Sequence, residues 1–365
     1  MRLTAKAPGR ICLFGEHQDY LGLPVIAAAI SREMTIDAET EIDLLNRYRI
    51  VLHDMDCDEI INMAMPIVFR HRKDYLRSVV KTLRREKIEL PRALTAEIAS
   101  TIPMEAGTSS SAAMSVAWAG LLLKAAGHSS ANDPDFVARI AHRAEVVEFK
   151  ESGGMMDQIT VAHGGLVHFD PSGDRPDVTP LGARPEGFVL GDSRQPKDTQ
   201  AILSRVRGTA ESAIVKVSGA SAEFSLKKTS LDEAADTISD AGLGDSEYKV
   251  LVGNLENRDI LRAAQDLLES DTFEPADLGA LLNRHHEILR DNLRISTDRI
   301  EAMIGAARAA GALGAKINGS GGGGCMFAYA PGCADAVAAA IEEAGGRAYP
   351  VEISDGLRVG ERGDE

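Results

Sequence analysis

The sequence predicts a mixed α/β (α+β) chain that folds as two domains. Its 365 residues, 44% of them hydrophobic and 26% charged, can bury more than one core. Short apolar runs with the length of strands alternate with longer runs of helical periodicity along the chain. A stretch rich in proline and glycine over residues 171–187 interrupts this alternation. We therefore predict two domains, residues 1–185 and residues 186–365.

The first half begins with strand-like runs and continues with alternating helices and a strand. A Pro8-Gly9 turn separates the first two runs. The predicted strands cover residues 2–6, 11–14, 25–30 and 93–100. Helical periodicity predicts helices over residues 74–85, 111–126 and 134–149.

The second half begins with a predicted strand over residues 187–190. Helices are predicted near residues 197–216, 256–269, 276–293 and 296–310. After a glycine-rich segment, the pattern predicts a strand over 326–330, a helix over 334–344 and a strand over 347–353. Residues 356–365 are charged and contain glycine, so we expect a frayed tail.

The formal net charge of −15 disfavours nucleic acids and anionic membranes as partners, because both would repel the chain at long range. The beginning of the chain lacks the apolar core of a signal peptide, and no run reaches the about 18 apolar residues of a membrane span. The four cysteines show no disulfide or zinc spacing. We therefore expect reduced thiols in a cytoplasmic protein.

The most unusual segment lies between two predicted elements of the second half. Glycines lose much chain entropy on folding and offer no side chain for packing, so a run of them indicates a close approach of the backbone to something else. We expect that neighbour to be an anion or a second backbone. The segment consists of Gly319, Ser320, Gly321, Gly322, Gly323 and Gly324.

Small side chains directly before an apolar helix favour a phosphate-binding loop at residues 103–113. Free backbone N–H groups and the positive end of the helix converge at such a helix start. Capping of the helix by a serine is the alternative, but three consecutive serines exceed what capping needs. The segment lacks the Gly-Lys-Ser/Thr ending of a Walker A loop. The candidate residues are Pro103, Ala106, Gly107, Thr108, Ser109, Ser110, Ser111 and Ala112.

Two carboxylates, Glu145 and Asp157, form a second candidate site. We place Glu145 on the polar side of a helix, whereas Asp157 follows two glycines and two methionines. An unpaired carboxylate in such apolar surroundings is unfavourable, so Asp157 needs a partner or a function. Arg10 is the candidate cation if the fold brings the two together. The alternative is that Asp157 caps a local turn.

Residues 7–22 concentrate charged and aromatic side chains between two apolar runs. Such a cluster suits a polyhydroxylated ligand, because carboxylates accept paired hydrogen bonds from neighbouring hydroxyls. A solvated turn is the alternative, and His17 alone is more often a structural hydrogen-bond donor than a catalyst. The cluster contains Arg10, Glu16, His17, Asp19 and Tyr20.

Together these segments resemble the GHMP kinase superfamily, and within it the galactokinases and related sugar 1-kinases. Residues 9–20 are similar to the galactokinase signature Gly-Arg-x-Asn-Leu-Ile-Gly-Glu-His-x-Asp-Tyr. Residues 103–113 resemble the ATP-phosphate loop of the family, and residues 154–158 resemble its Gly-Ile-Met-Asp-Gln motif. Mevalonate kinases usually carry lysine at the position of Arg10, so the resemblance favours the sugar branch.

The resemblance implies the parts of a phosphoryl-transfer site. Asp157 is expected to accept the proton of the anomeric hydroxyl, while Arg10 stabilises that carboxylate and the developing negative charge. Ser111 and Glu145 match the Mg²⁺ ligands of the family, and hard oxygen ligands are what Mg²⁺ prefers. Residues 103–112 are expected to bind the phosphates of ATP.

The resemblance also implies a substrate side and a fold. Glu16, His17 and Asp19 match positions that hold sugar hydroxyls, with Gly154 beside them, and residues 319–324 are expected to close on the phosphate being transferred. The implied fold has an N-terminal ribosomal-protein-S5-domain-2-like domain and a C-terminal ferredoxin-like domain, with the active site between them.

Three departures from the galactokinase pattern concern the choice of substrate. Leu21-Gly22-Leu23 replaces the usual Asn-Gly-Gly, and Gly322 replaces a phenylalanine, which predicts a more open loop. Residues 191–198 lack the Tyr-Asn-x-Arg-Arg segment whose tyrosine contacts the galactose ring. Galactose is therefore the leading candidate among several sugars.

We predict an ATP- and Mg²⁺-dependent kinase that phosphorylates the anomeric hydroxyl of a monosaccharide, either galactose or a related sugar. Two alternatives stay open: a GHMP kinase for mevalonate or a different sugar, and a non-catalytic sugar sensor. The presence of Arg10, Ser111, Glu145 and Asp157 argues against a sensor, which needs neither a base nor a metal ligand. The expected partners are the sugar and ATP, without nucleic acid or membrane, and the chain is expected to be a monomer or homodimer.

Overall fold

A computed structural model describes residues 1–41, 45–55, 57–103, 107–173, 176–270 and 272–362 of the chain. Within the first half, strands and helices alternate around one sheet. Its elements are β1 Arg2–Phe14, β2 Val25–Thr40, β3 Arg47–Leu52, β4 Cys57–Asn62, α1 Tyr75–Arg85, β5 Leu94–Ser100, α2 Ser110–Ala125, α3 Pro134–His142, α4 Met156–His163, β6 Leu166–Asp170 and β7 Asp177–Leu181.

The second half contains a smaller sheet and longer helices. Its elements are β8 Phe188–Asp192, α5 Thr199–Ala220, α6 Leu231–Asp240, α7 Asp245–Glu269, α8 Pro275–Asp291, α9 Asp298–Ala309, β9 Gly314–Ile317, β10 Cys325–Tyr329, α10 Ala334–Glu343, β11 Arg347–Val351 and β12 Arg358–Glu361. Most predicted elements lie near these bounds. Helix α7 begins eleven residues earlier than predicted, and helix α6 was missed.

Two sheets organise these elements. The larger sheet has the order β12-β1-β2-β5-β3-β4, and β6 and β7 extend it from β2. Within it β3 and β5 are parallel, whereas the other pairs are antiparallel. The smaller sheet is antiparallel, with the order β11-β8-β10-β9.

Helix α2 is the central helix of the first half. It is apolar on all sides, as expected of a helix covered by protein all round, and its Trp118 is fully buried. The indole Nε1 of Trp118 donates a hydrogen bond to the Leu76 carbonyl at 3.2 Å, and the ring packs edge-on against Tyr48. This packing holds α2 in the core of the first half, and the first residues of the helix, Ser110 and Ser111, line a cleft.

An apolar cluster joins the two halves of the chain. It brings Ile11 and Leu13 of β1 together with Leu282 of α8 and Phe327 of β10, all of them buried. Because successive side chains of a strand point to opposite faces, β1 also contributes to the core around α2. Strand β1 therefore holds the first sheet against the second half.

The prediction of two strands separated by a turn at Pro8-Gly9 is wrong. Residues Arg2–Phe14 form one strand, and its pairing with β2 shifts register between Pro8 and Gly9. Proline has no N–H group to donate to the neighbouring strand. A register shift at this point accommodates the missing hydrogen bond without ending the strand. Short strands β3, β4, β6, β7 and β9 were also missed.

The prediction of a frayed tail over residues 356–365 is wrong for residues 356–362, which are the part of the tail that the structure describes. Strand β12 pairs with β1 from Leu3 opposite Glu361 to Lys6 opposite Arg358. Its Val359 packs against the core around α2, which explains why this charged segment is ordered. The chain thus returns to the first sheet after the second one is complete. The predicted boundary near residue 185 stays a prediction.

Candidate active site

A cleft of about 570 Å³ lies between the two halves of the chain. Its lining includes the loop after β1, the start of α2, the turn around Glu145, the start of α4, the loop before α5 and the loop after β9. All three segments singled out in the sequence reach this cleft, as does the glycine segment. The fold therefore brings them to one place.

Arg10 and Asp157 form the contact that the sequence analysis expected. Arg10 Nε and Nη2 lie 2.9 and 2.7 Å from the same carboxylate oxygen, Oδ1 of Asp157. The Arg10 side chain is 4% exposed and that of Asp157 33% exposed. Burial alone would lower the pKa of Arg10, but the Asp157 carboxylate and neighbouring groups such as Glu16 together outweigh burial and raise that pKa. Arg10 also donates to the Gly107 carbonyl, so it links α4 to the loop before α2.

Gly154 allows the carboxylate of Asp19 to approach the start of α4. Asp19 Oδ2 accepts a hydrogen bond from the Met156 N–H at 3.2 Å, and its Oδ1 accepts one from the Tyr20 N–H at 2.9 Å. A methyl group on Gly154 would lie 1.9 Å from Asp19 Oδ2, so a larger residue would displace the carboxylate. Burial, together with the negative charge of Asp157, raises the pKa of Asp19 to about 6.

His17 is buried and both of its ring nitrogens have protein partners. Its Nε2 lies 3.1 Å from the Ser320 carbonyl, which can only accept, so Nε2 carries the proton. Its Nδ1 then accepts from the Tyr20 hydroxyl at 2.7 Å. Burial lowers the pKa of His17 to about 4, which agrees with a neutral ring. His17 thus connects the loop after β1 to the glycine segment.

Glu16 is placed differently from Asp19. Its side chain is 1% exposed, and its Oε1 accepts from the ammonium group of Lys316 on β9. Lys316 also donates to the Cys12 carbonyl at 2.9 Å. This buried ion pair joins the first sheet to the second half directly before the glycine segment. The contact of Glu16 with a substrate hydroxyl stays a prediction.

The loop before α2 presents unpaired donors to the cleft. Gly107 and Ser109 adopt positive φ values of 82° and 63°, and no side chain caps the helix. The hydroxyl of Ser109 is buried without a hydrogen-bond partner among the described residues. The first-turn N–H groups of Ser110, Ser111 and Ala112 have no carbonyl four residues earlier within the helix. These donors fit a phosphate group.

Pro103 and Thr108 of the predicted phosphate loop form hydrogen bonds that connect the loop to β1. The Pro103 carbonyl accepts from the Thr108 hydroxyl at 3.3 Å, and the Thr108 carbonyl accepts from the Arg10 N–H at 3.2 Å. These bonds hold the loop on β1. Ala106 lies outside the described residues.

The prediction that Glu145 lies on the polar side of a helix is wrong, because its side chain is buried. Helix α3 passes into a π-helical turn, Arg143–Val147, which carries Glu145 inward. Gln158 Nε2 donates to Glu145 Oε2 at 2.8 Å. Burial raises the pKa of Glu145 to about 7, and hydrogen bonds from Ser111 and Gln158 only partly offset that effect.

Ser111 and Glu145 are therefore neighbours at the start of α2, as their predicted role as metal ligands requires. A buried carboxylate whose negative form is disfavoured gains from a cation, and Mg²⁺ is usually held by one or two protein oxygens together with phosphate oxygens and water. No group of three or more His, Cys, Asp and Glu side chains suited to a metal occurs within the described ranges. The two oxygen donors fit a metal bound largely by a nucleotide.

The glycine segment packs against three other segments. A methyl group on Gly319 would lie 2.9 Å from the Gly107 carbonyl oxygen, and one on Gly321 would lie 2.5 Å from Ile295 Cβ. On Gly322, a methyl group would lie 2.1 Å from Ile202 Cδ1. The expectation of a more open loop at Gly322 is therefore wrong, because Ile202 of α5 fills that space.

Lys197, which was not predicted from the sequence, enters the cleft from the loop before α5. Its Nζ donates to Ser320 Oγ at 3.1 Å, and a methyl group on Gly107 would lie 2.5 Å from the same Nζ. Burial, together with the positive charge of Arg10, lowers the pKa of Lys197 to about 8. A single lysine before a helix carries no distinctive sequence signal, so this position becomes apparent only in the fold.

Three family descriptions match separate parts of the chain. Residues 74–165 match the GHMP kinases N terminal domain, and residues 263–347 match the GHMP kinases C terminal domain. Residues 2–39 match the galactokinase galactose-binding signature.

Relatives that match most of the chain include mevalonate kinases and a galactokinase. A mevalonate kinase of Thermococcus gammatolerans is 32% identical over 99% of this chain and 99% of its own length. One of Pyrococcus furiosus is 30% identical with the same coverage. A galactokinase of Thermotoga petrophila is 29% identical over 88% of this chain and 87% of its own length.

Solved structures share the fold. The galactokinase of Lactococcus lactis complexed with galactose aligns with a TM-score of 0.84 and 21% identity, covering 98% of this chain and 95% of that one. The mevalonate kinase of Methanococcus jannaschii aligns with a TM-score of 0.72 and 17% identity, covering 96% and 98%. No helix within the described residues is long and apolar enough to cross a membrane. The predicted α/β class with two domains is confirmed.

Proposed function

The chain belongs to the GHMP kinase superfamily and is a kinase, and from that premise we propose that it phosphorylates the anomeric hydroxyl of a neutral monosaccharide. The proposed phosphate donor is ATP with Mg²⁺, and the products are a sugar 1-phosphate and ADP. Galactose or a related sugar is the proposed acceptor. The match of residues 2–39 to the galactose-binding signature supports this choice.

The observation that carries the proposal is the arrangement of Asp157, Arg10 and Asp19 in one cleft. Both contacts of Arg10 fall on Oδ1 of Asp157, which leaves Oδ2 for an acceptor hydroxyl. Asp19 is anchored by two backbone N–H groups beside the start of α4 and keeps lone pairs for further hydroxyls. A base and a second hydroxyl acceptor side by side suit an acceptor with several hydroxyl groups.

In the proposed reaction, Asp157 accepts the proton of the attacking hydroxyl. Arg10 keeps the carboxylate in place, and its guanidinium stabilises negative charge that develops nearby. Asp19 orients the acceptor through its other hydroxyls. In phosphoryl transfer, positioning and electrostatic stabilisation supply most of the catalysis, so these roles match the chemistry.

On the donor side, residues 107–112 would bind the phosphates of ATP. The unpaired Ser109 hydroxyl and the first-turn N–H groups of α2 supply the donors. Ser111 and Glu145 would hold Mg²⁺, which neutralises phosphate charge when it is bound. Without such a cation, Glu145 is a buried carboxylate with a raised pKa.

The charges of the acceptor side favour a neutral acceptor over mevalonate. Mevalonate carries its own carboxylate, which Asp19 and Asp157 would repel. Arg10 is already paired with Asp157, and Lys197 is held against Gly107 of the phosphate loop. A sugar has no charge to be repelled.

A kinase for mevalonate is the second candidate, and the sequence relatives favour it. Mevalonate kinases from Thermococcus and Pyrococcus match nearly the whole chain at 30–32% identity. The matched length includes the shared phosphoryl-transfer machinery, so this similarity does not by itself identify the acceptor. A non-catalytic sensor would have no use for the Arg10–Asp157 pair or for the donors at Ser111 and Glu145.

The test is release of ADP from ATP and Mg²⁺ over a panel of monosaccharides and mevalonate, followed by identification of the phosphorylated position by phosphorus NMR. We expect turnover of one or more neutral sugars with phosphate on the anomeric oxygen. Phosphate found only at C6, or only on mevalonate, would contradict the proposal. Binding of ATP and sugar without turnover on the whole panel would favour a sensor.

A further inference from the structure

Lys197 bridges the two loops that meet across the cleft. Its Nζ donates to Ser320 Oγ of the glycine segment at 3.1 Å and lies over Gly107 of the phosphate loop, where a methyl group would come within 2.5 Å. Lys197 belongs to the second half of the chain and Gly107 to the first. The ammonium group therefore occupies the point where the two halves approach each other at the proposed phosphate site.

The sequence fixes this position through the start of α5. Asp198 is the N-cap of α5, and its Oδ1 accepts from the Ala201 N–H at 3.0 Å. Asp198 is therefore engaged with its own helix and is not the partner of Lys197. The residue before the cap, Lys197, extends its side chain toward the cleft instead of along the helix.

Lys197 has no carboxylate within salt-bridge distance among the described residues, and in this it differs from Arg10. Arg10 forms an ion pair with Asp157, whereas the polar partner of Lys197 is a neutral hydroxyl. A partly buried ammonium group without an anion is unfavourable. A lysine in this state is expected where an anion arrives during function.

We propose that Lys197 binds the terminal phosphate of the nucleotide and neutralises the phosphoryl group during its transfer. The proposal rests on the proposed function in one respect, namely that a nucleotide triphosphate binds at residues 107–112. The contacts with Gly107 and Ser320 place the Lys197 ammonium beside that loop. Arg10 contacts the same loop, because it donates a hydrogen bond to the Gly107 carbonyl. Lys197 and Arg10 then approach the transferred group from the two halves of the chain.

A lysine that binds the terminal phosphate and a lysine that only joins two loops should affect the affinities for a nucleoside triphosphate and for ADP differently. ADP lacks the terminal phosphate, so Lys197 should contribute to binding of a triphosphate and not of ADP. A lysine that only joined two loops would affect both nucleotides equally. A lysine that recognised a carboxylate on the acceptor would affect neither nucleotide and would change only the KM of the acceptor.

The experiment compares wild type with Lys197→Met, Lys197→Arg and the control Lys216→Met. Lys216 lies on α5 outside the cleft and pairs with Glu247, so its replacement tests loss of a lysine on the same helix. Affinities for the non-hydrolysable triphosphate AMPPNP and for ADP are measured with Mg²⁺ by isothermal titration calorimetry, without acceptor. The turnover number follows from ADP release with the sugar that the panel identifies.

We expect Lys197→Met to weaken AMPPNP binding by about tenfold to a hundredfold, the range for loss of a charged hydrogen bond, with ADP binding unchanged. The turnover number should fall by about 10²–10³-fold, as for removal of one donor to a developing negative charge. Lys197→Arg should restore most of the AMPPNP affinity because it keeps the charge. Lys216→Met should behave as wild type.

Three results would overturn the assignment: unchanged AMPPNP affinity in Lys197→Met, an equal loss of AMPPNP and ADP binding, or a change confined to the KM of the acceptor. Loss of ADP binding in both Lys197 variants would indicate a folding defect and would count as an equal loss. Wild-type protein that binds neither nucleotide would overturn this proposal and the proposed function together. Wild-type protein that binds AMPPNP but phosphorylates no sugar would overturn only the proposed function.

Discussion

Replacing Asp157 with asparagine removes the proposed base while keeping nearly the same shape. We expect the turnover number to fall by about 10²–10⁴-fold, which is the usual contribution of a positioned general base. ATP affinity should be largely unchanged, because the nucleotide donors at Ser109–Ala112 belong to a different segment. The KM of the acceptor should change far less than the turnover number, since asparagine still offers an oxygen to the hydroxyl.

The structure also sets the size of the accompanying stability change. Arg10, which is 4% exposed, contacts Asp157 Oδ1 through Nε and Nη2 at 2.9 and 2.7 Å. Asparagine keeps one oxygen for these donors but loses the charge, so we expect the free energy of unfolding to fall by about 1–2 kcal/mol. Asp157→Ala removes the acceptor altogether and should cost more, toward the about 3–5 kcal/mol of a broken buried pair. The 33% exposure of Asp157 admits water and keeps the cost below that limit.

The measurements are ADP release with the accepted sugar, calorimetric ATP binding and urea denaturation, all on the same preparations. Asp170→Asn is the matched control, because Asp170 pairs with Lys227 at 2.6 Å outside the cleft. It should lose a comparable amount of stability and keep its turnover. Turnover of Asp157→Asn within about tenfold of wild type, below the range for a general base, would refute the reasoning. So would an equal loss of turnover in the control.

Three further predictions concern the metal, the acceptor and the glycine segment. Ser111→Ala should raise the Mg²⁺ concentration needed for half-maximal ADP release, because Glu145 would then be the remaining protein ligand; an unchanged Mg²⁺ titration would contradict this. Asp19 accepts hydroxyls best when ionised and its pKa lies at about 6, so the acceptor KM should rise as pH falls below 6. Asp19→Asn should raise KM at neutral pH and abolish this pH dependence. If KM for the acceptor still rose at low pH in the variant, Asp19 would not be the group that titrates. Gly322→Ala should lower the free energy of unfolding by about 1–3 kcal/mol, through its φ of 75° and its clash with Ile202. Adding Ile202→Ala should remove the clash, so strictly additive losses in urea denaturation would argue against that contact.

The segments that carry the chemistry could be found in the sequence because each concentrates unusual residues within a short distance. The serine triplet before an apolar helix indicated a phosphate loop, and the structure places unpaired donors there. The contact between Arg10 and Asp157 spans 147 positions, yet it could be expected because a carboxylate in apolar surroundings needs a cation. Charge complementarity therefore predicted a contact that local periodicity could not.

Other features of the site depend on contacts that no local pattern contains. Glu16 stands beside His17 and Asp19 in the chain, but its carboxylate pairs with Lys316, 300 positions later. The regular helical period of about 3.6 residues predicted Glu145 on a polar helix face. The π-helical turn changes that period, and the side chain therefore points inward. Lys197 could not be predicted as a site residue, because a single lysine before a helix is common in sequences. Only the fold places its ammonium group over Gly107.

The two groups of relatives become compatible once the cleft is divided into a donor side and an acceptor side. Transfer of phosphate from ATP makes the same demands whatever alcohol receives it, so the proposed roles of Ser111, Glu145 and Asp157 carry little information about the acceptor. Identity over the whole chain mainly reports on the scaffold that holds these residues. Selection of the acceptor falls to side chains that would face it alone, and under the proposed function the charge of Asp19 would favour a sugar over a carboxylate-bearing alcohol. The substrate question therefore depends on one anchored carboxylate more than on the overall percentage of identity.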